Sequence, residues 1–167
     1  LMSRKKRRKA MIFLTVSVLA LSFPGCGKKE NTSDRTLRVG IVTYTQDDPF
    51  INTMTEQIRE DLKLKESKDM KILVSVKNGD NDQRDQDELV EEMIAAGCDV
   101  LCVNLVDRTA PSDIIKAARQ EKIPVIFFNR EPVKEDLMQW DQLYYVGCDA
   151  KQSGEMQGEI AADYLKA

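Results

Sequence analysis

The segment RVGIVTYTQDDPFINTMTEQIREDL, residues 38–62, decides the fold. Its opening, Arg38 to Tyr44, is rich in β-branched side chains and reads as a strand. After the polar break at Thr45 to Asp48, the apolar residues Ile51, Met54, Ile58 and Leu62 recur at spacings of three and four. That spacing draws one apolar stripe down an amphipathic helix. A strand followed at once by such a helix is the first half of a βαβ unit.

Working outward, the same alternation continues. Lys71 to Val76 predicts a second strand, and Gln83 to Ala96 a helix with Leu89, Val90, Met93 and Ile94 on its inner face. Asn81 or Asp82 is placed to cap that helix and Gly97 to end it. Asp99 to Val103 predicts a third strand, and Pro111 stands in the first turn of a helix that turns Ile114, Ile115 and Ala118 inward. Pro124 to Phe128 and Tyr144 to Gly147 predict two more strands, with a loop or broken turn from Glu131 to Leu143 and a last helix from Ser153 to Leu165. Strict alternation argues for an α/β fold: a doubly wound parallel sheet with helices on both faces.

The first residues belong to another category. Arg4 to Lys9 form a basic block, and Ala10 to Phe23 carry no charge. This is the order of a secretory signal. At about 14 residues, the apolar run falls short of the roughly 20 a membrane-crossing helix needs. Leu21 to Gly27 resembles the lipobox of bacterial lipoproteins, with Cys26 as the lipidated residue, although Phe23 and Pro24 depart from its usual pattern. Lys28 to Thr36 is polar and aperiodic, as a tether would be.

The chain has 25 Lys+Arg against 28 Asp+Glu. Without the basic block the remainder stands at about −9, which argues against nucleic acid as a partner. Histidine is absent. Cys98 and Cys102, four apart in a predicted strand, would lie roughly 13 Å from one another, beyond disulfide reach. All three of Cys98, Cys102 and Cys148 read as buried thiols packed as small hydrophobes, and no zinc site is expected.

In an open α/β sheet, ligands bind beyond the carboxyl ends of the strands. Those ends deliver Tyr44, Gln46, Asp47, Asp48 and Phe50, then Asn78 and Asp80, Asn104 and Asp107, Asn129, Arg130 and Glu131, and finally Asp149. No G-x-G-x-x-G or G-x-x-x-x-G-K-[ST] loop offers a phosphate cradle, and no G-x-S-x-G elbow offers a nucleophile. Asp47 and Asp48, as sequence neighbours, do not face one another as an acid/base pair. An enzyme is therefore not expected. Amides and carboxylates beside an aromatic ring suit a polyol: Asp accepts, Asn donates and accepts, and a flat ring covers the C–H face of a pyranose.

Val39-Gly40-Ile41 through Asp47-Asp48-Pro49-Phe50 resembles the first strand and loop of the bacterial galactose/glucose-binding protein family. So do Asn81-Asp82-Gln83, Val103 to Asp107, Pro124 to Pro132, and Tyr144 to Asp149 followed by Ser153-Gly154 and Gln157-Gly158, in family order over Arg38 to Leu165. The resemblance implies a type I periplasmic binding protein, in which two α/β lobes close on a monosaccharide. It divides this chain into a signal peptide (1–25), a tether (26–36), an N-terminal sugar-binding lobe (37–148), and a hinge crossing with the first helix of a second lobe (149–167), which the chain is expected to stop short of completing. The hinge falls on Cys148, Asp149 and Ala150.

By position, the resemblance makes Asp48 and Asn129 hydrogen-bonding partners of sugar hydroxyls, Phe50 the stacking ring, and Tyr44 a cleft residue. Arg130 replaces a family lysine and is expected to pair with Asp48. The same residues have plainer uses: Asp48 as a helix N-cap, Phe50 as core, Asn129 closing its own turn, and Asn104 organising the loop around Asp107. The implied function is an extracytoplasmic, lipid-anchored and monomeric binding protein that delivers glucose or galactose to the permease of an ABC importer. The alternative is a sugar sensor signalling to a chemoreceptor, as in chemotaxis, or to a histidine kinase. No cofactor is expected; the family's calcium loop has no counterpart in this stretch.

Overall fold

The computed structural model describes residues 35–166. Five strands and five helices follow one another: β1 (Arg35–Thr43), α1 (Pro49–Leu64), β2 (Met70–Asn78), α2 (Gln83–Ala95), β3 (Val100–Val103), α3 (Ser112–Glu121), β4 (Val125–Phe128), α4 (Lys134–Leu137), β5 (Leu143–Val146) and α5 (Ala150–Lys166). All strand pairs are parallel and the order is β2-β1-β3-β4-β5. The chain winds outward from β1 to β2, returns across β1 to β3, and continues to β5. The direction of winding therefore reverses between β1 and β3, the switch point at which such sheets open a crevice at their carboxyl edge.

Each face of the sheet has its own apolar layer. Val42, Leu101, Val103, Val125, Phe127 and Leu143 point to one side and pack with Val90 and Met93 of α2 and Ile114, Ile115 and Ala118 of α3. Val39, Ile41, Ile72 and Phe128 point to the other, against Met54, Ile58 and Leu62 of α1. The period-two alternation along each strand is what divides the two sets. Phe127, Ile41 and Leu101 are wholly buried.

The ends of the helices follow local chemistry. Asp48 precedes α1 in an extended conformation and accepts from the Phe50 and Ile51 amides, with Pro49 supplying a first helical residue that has no N–H to satisfy. Asp82, rather than Asn81, caps α2 through the Arg84 and Asp85 amides. Gly97, at φ 79°, lets the chain leave α2 in the left-handed region.

Several expectations need correction. The tether was expected to run to Thr36, yet Arg35 and Thr36 belong to β1: the Arg35 amide donates to the Asp69 carbonyl, and Arg35 and Thr36 register with Met70 and Lys71. The remaining tether, the signal and Cys26 lie outside the described residues. The Glu131–Leu143 stretch holds the short helix α4, and α5 begins at Ala150 rather than Ser153 because Asp149 caps it through the Lys151 and Gln152 amides. Cys98 precedes β3 instead of lying in it, packing on the α2/α3 side while Cys102 packs on the α1 side. Cys148, expected to be buried, is exposed on the connector after β5. Burial pushes the Cys102 thiol up to about 11.

Candidate functional site

Because every strand is parallel, the segments leaving β1, β3 and β4 emerge at one edge, flanking the switch point. Tyr44 follows β1, and its hydroxyl donates to Asp48 Oδ2 at 2.7 Å. The other carboxylate oxygen, Oδ1, accepts from the Phe50 amide at 2.8 Å and from the Ile51 amide at 3.4 Å. The two uses foreseen for Asp48, cap and polar ligand group, are thus compatible: one oxygen holds the helix and the other faces Tyr44. The Tyr44 hydroxyl holds the Asp48 carboxyl below the usual carboxylate range, aided by those amides and, least, by Arg130. The same bond raises the Tyr44 phenol above its ordinary value.

Phe50 stands in the first turn of α1 and is 60% exposed. It is therefore not core. Leaving a benzyl group this exposed beside a capped carboxylate forgoes about 1.5–3 kcal/mol that burial would contribute. The exposed ring is available to stack on an apolar surface.

Arg130 follows β4 and does not form the expected pair with Asp48. Its guanidinium lies over the Tyr44 ring, 3.7 Å from the centroid, and donates through Nη1 to the Leu105 and Val106 carbonyls at 3.2 and 2.9 Å. Planar delocalised charge favours an aromatic face with carbonyls at the rim over a point contact with one carboxylate. Arg130 thereby touches Tyr44 rather than Asp48, which it reaches only through its charge, and joins the segments after β1, β3 and β4.

Asn129 sits between β4 and Arg130 at φ 63°, a conformation asparagine tolerates better than most residues. Its amide donates to the Val146 carbonyl at 3.0 Å, and its own carbonyl accepts from the Tyr145 hydroxyl at 3.1 Å. The structure brings Tyr44 into direct contact with both Asp48 and Arg130, binds Phe50 to Asp48 through its amide, and sets Asn129 next in sequence to Arg130.

Two further residues matter at this edge. Asn104 was expected to organise the loop around Asp107; instead its Nδ2 donates to the Phe128 carbonyl at 3.0 Å, lacing the end of β3 to the end of β4. Asn104 is fully buried, and its Oδ1 has no partner. An orphaned buried acceptor beside a crevice is a candidate contact for a donor hydroxyl. Asp107 organises its own loop through the Thr109 amide and hydroxyl. Gln86 was not singled out in the sequence. It is fully buried and spans the β3 exit, donating to the Asn104 carbonyl and accepting from the Val106 amide, both at 3.0 Å. The only sequence signal was a glutamine on the inward face of an otherwise apolar helix stripe.

Among the described residues no group of three or more His, Cys, Asp or Glu is arranged to hold a metal ion. A concavity between α1 and β2, lined by Glu56, Arg59, Lys63 and Ile72, is not at the carboxyl edge. It is an open groove along an outer strand and contains none of the residues above.

Comparison with known proteins gives concordant matches. Residues 39–167 match the family model for a periplasmic binding protein domain. The D-galactose/methyl-galactoside binding periplasmic protein MglB of Haemophilus influenzae is 35% identical over 130 residues, covering 78% of this chain and 38% of that protein. The ribose import binding protein RbsB of Bacillus subtilis is 26% identical, covering 95% of this chain and 51% of that protein. Among solved structures, an ABC transporter solute binding protein from Clostridium phytofermentans with bound β-D-glucose superposes at a TM-score of 0.66 with 25% identity, covering 77% of this chain and 37% of that one. The chain thus spans between about two-fifths and half the length of the curated relatives just named. The names of these relatives describe binding, not catalysis.

Proposed function

The chain belongs to the periplasmic binding protein family, and from that premise we propose that it contributes one wall of a monosaccharide site, for glucose or galactose, in a protein that delivers the sugar to an ABC importer. The observation that carries the reading is the Tyr44–Asp48–Phe50 arrangement. A carboxylate kept ionised and aimed by a phenol and two amides has lone pairs left for sugar hydroxyls, and the adjacent exposed ring offers a flat apolar face. Asn129, and Asn104 through its orphaned oxygen, supply amides on the neighbouring strand ends. Arg130 holds Tyr44 in place. The ligands named for relatives extend to ribose and glucose, and 35% identity with a galactose binder favours the hexose.

Titration of the isotope-labelled chain with glucose and galactose tests the proposal. Resonances of Tyr44, Asp48, Phe50 and Asn129 should move at millimolar sugar, weakly because one wall leaves water to compete for every hydroxyl. Asp48→Ala should remove the response. Silence of these four residues up to the solubility limit of both sugars would reject the reading.

The protein is proposed to act outside the cytoplasm, anchored through a lipid on Cys26. Radiolabelled palmitate should enter the wild-type protein expressed with its leader, and Cys26→Ser should abolish incorporation.

A further inference from the structure

The hydroxyl of Tyr145 has one proton and two carbonyls within reach: Asn129 O at 3.1 Å and Cys148 O at 3.4 Å. These acceptors belong to different parts of the molecule. Asn129 is at the carboxyl edge where the proposed site lies. Cys148 is in the connector Gly147–Asp149, which joins β5 to α5. None of the side chains of α5 is buried. Its direction relative to the sheet is therefore set by the connector and by the Asp149 cap, not by packing.

The geometry of Tyr145 is built rather than incidental. Its ring packs against the α2/α3-side core, opposite Phe127 of β4. A Cβ added at Gly147 would overlap the Tyr145 hydroxyl and ring edge, so only glycine lets the side chain fold back beneath the connector. Asn129 in turn is held through both of its backbone groups: its N–H by the Val146 carbonyl and its carbonyl by the Tyr145 hydroxyl, two consecutive residues of β5.

We propose that Tyr145 is a positioning residue: it fixes the peptide of Asn129 and passes a displacement there to the connector before α5. One O–H cannot fully satisfy two carbonyls at once. A rotation of the Asn129 peptide that weakens one bond releases the proton to the other, so events at the site edge alter the hold on Cys148. The functional consequence rests on the monosaccharide-binding reading; the coupling itself does not.

The test uses amide resonances of the full chain and needs no ligand. Asn129→Asp, tolerated at positive φ, perturbs the site edge alone. In the wild-type background it should shift the amides of Cys148 to Lys151 as well as those beside residue 129. In a Tyr145→Phe background, which keeps the ring and removes the hydroxyl, the shifts at Cys148 to Lys151 should vanish while those beside residue 129 remain. Gly147→Ala, which displaces the hydroxyl by a different route, should reproduce this loss. A residue that merely packs would leave the transmitted shifts intact in Tyr145→Phe. Persistence of those shifts at full size in either variant, or their absence in wild type, overturns the proposal. Glucose and galactose form a second arm: if neither moves Asn129 in the wild type, the sugar reading fails, while the substitution arm still decides the coupling.

Discussion

The two faces of the sheet are built differently. On the α2/α3 side, the strands and both helices enclose fourteen buried residues in one cluster. On the α1 side the cluster has four buried residues with partly buried neighbours, and Tyr144 and Val146 of β5 stand exposed. One helix covers β1 and β2, and the far strands lie beyond its width. The well-covered face supplies the stability, while the sparse face carries the helix whose N-terminus builds the proposed site.

That contrast makes ordered predictions. The largest loss should come from the dense face: Phe127→Ala should cost about 3–5 kcal/mol in denaturant unfolding, because a wholly buried ring leaves a cavity that two helices and the sheet keep from collapsing. Next is the polar strap of the same face. Gln86→Leu strands the Asn104 carbonyl and the Val106 amide, about 1–3 kcal/mol for each group that stays unsatisfied.

On the sparse face, Asp48→Ala should cost about 0.5–2 kcal/mol by removing the α1 cap. Asp48 also predicts a pH dependence. Its folded carboxyl titrates below the ordinary 3.8, so its contribution is fully present above that value and is lost as pH falls through the lower folded value. Wild type should therefore lose more stability on acidification below the ordinary carboxylate range than Asp48→Asn does; equal acid sensitivity in the two proteins would refute the assignment. Smallest of all, Tyr144→Ser and Val146→Ser should each change stability by no more than about 0.5 kcal/mol. A loss as large as that of Phe127→Ala would mean the two faces do not differ as described.

What could be read in the sequence follows the same physics. The alternation of strand and helix was legible because period two and period 3.6 leave different apolar spacings, and β1, α1 and α2 were placed to within a few residues. Tyr44, Asp48 and Asn129 were legible as candidates because strand ends in a parallel sheet are where ligands go. The partner of Arg130 was not, since choosing between a carboxylate and an aromatic face depends on how two distant loops approach. Nor was Gln86, whose meaning depends on which carbonyl and amide a buried amide meets. Cys148 was misjudged because its burial depended on whether β5 reached it, and β5 ends two residues earlier.

The two outer strands bear on how the molecule behaves at high concentration. β2 is nine residues long and, among the described residues, has no strand on its outer side, which leaves a row of backbone groups as an invitation to a neighbouring chain. Lys71 and Lys77 near its two ends make that invitation costly, because a second copy docking in register would bring like ammonium groups together. β5 carries no charge, and its safeguard is brevity: four residues give an intruding strand too few bonds to hold. Self-association through the sheet margins is thus discouraged by electrostatic repulsion at one border and by shortness at the other.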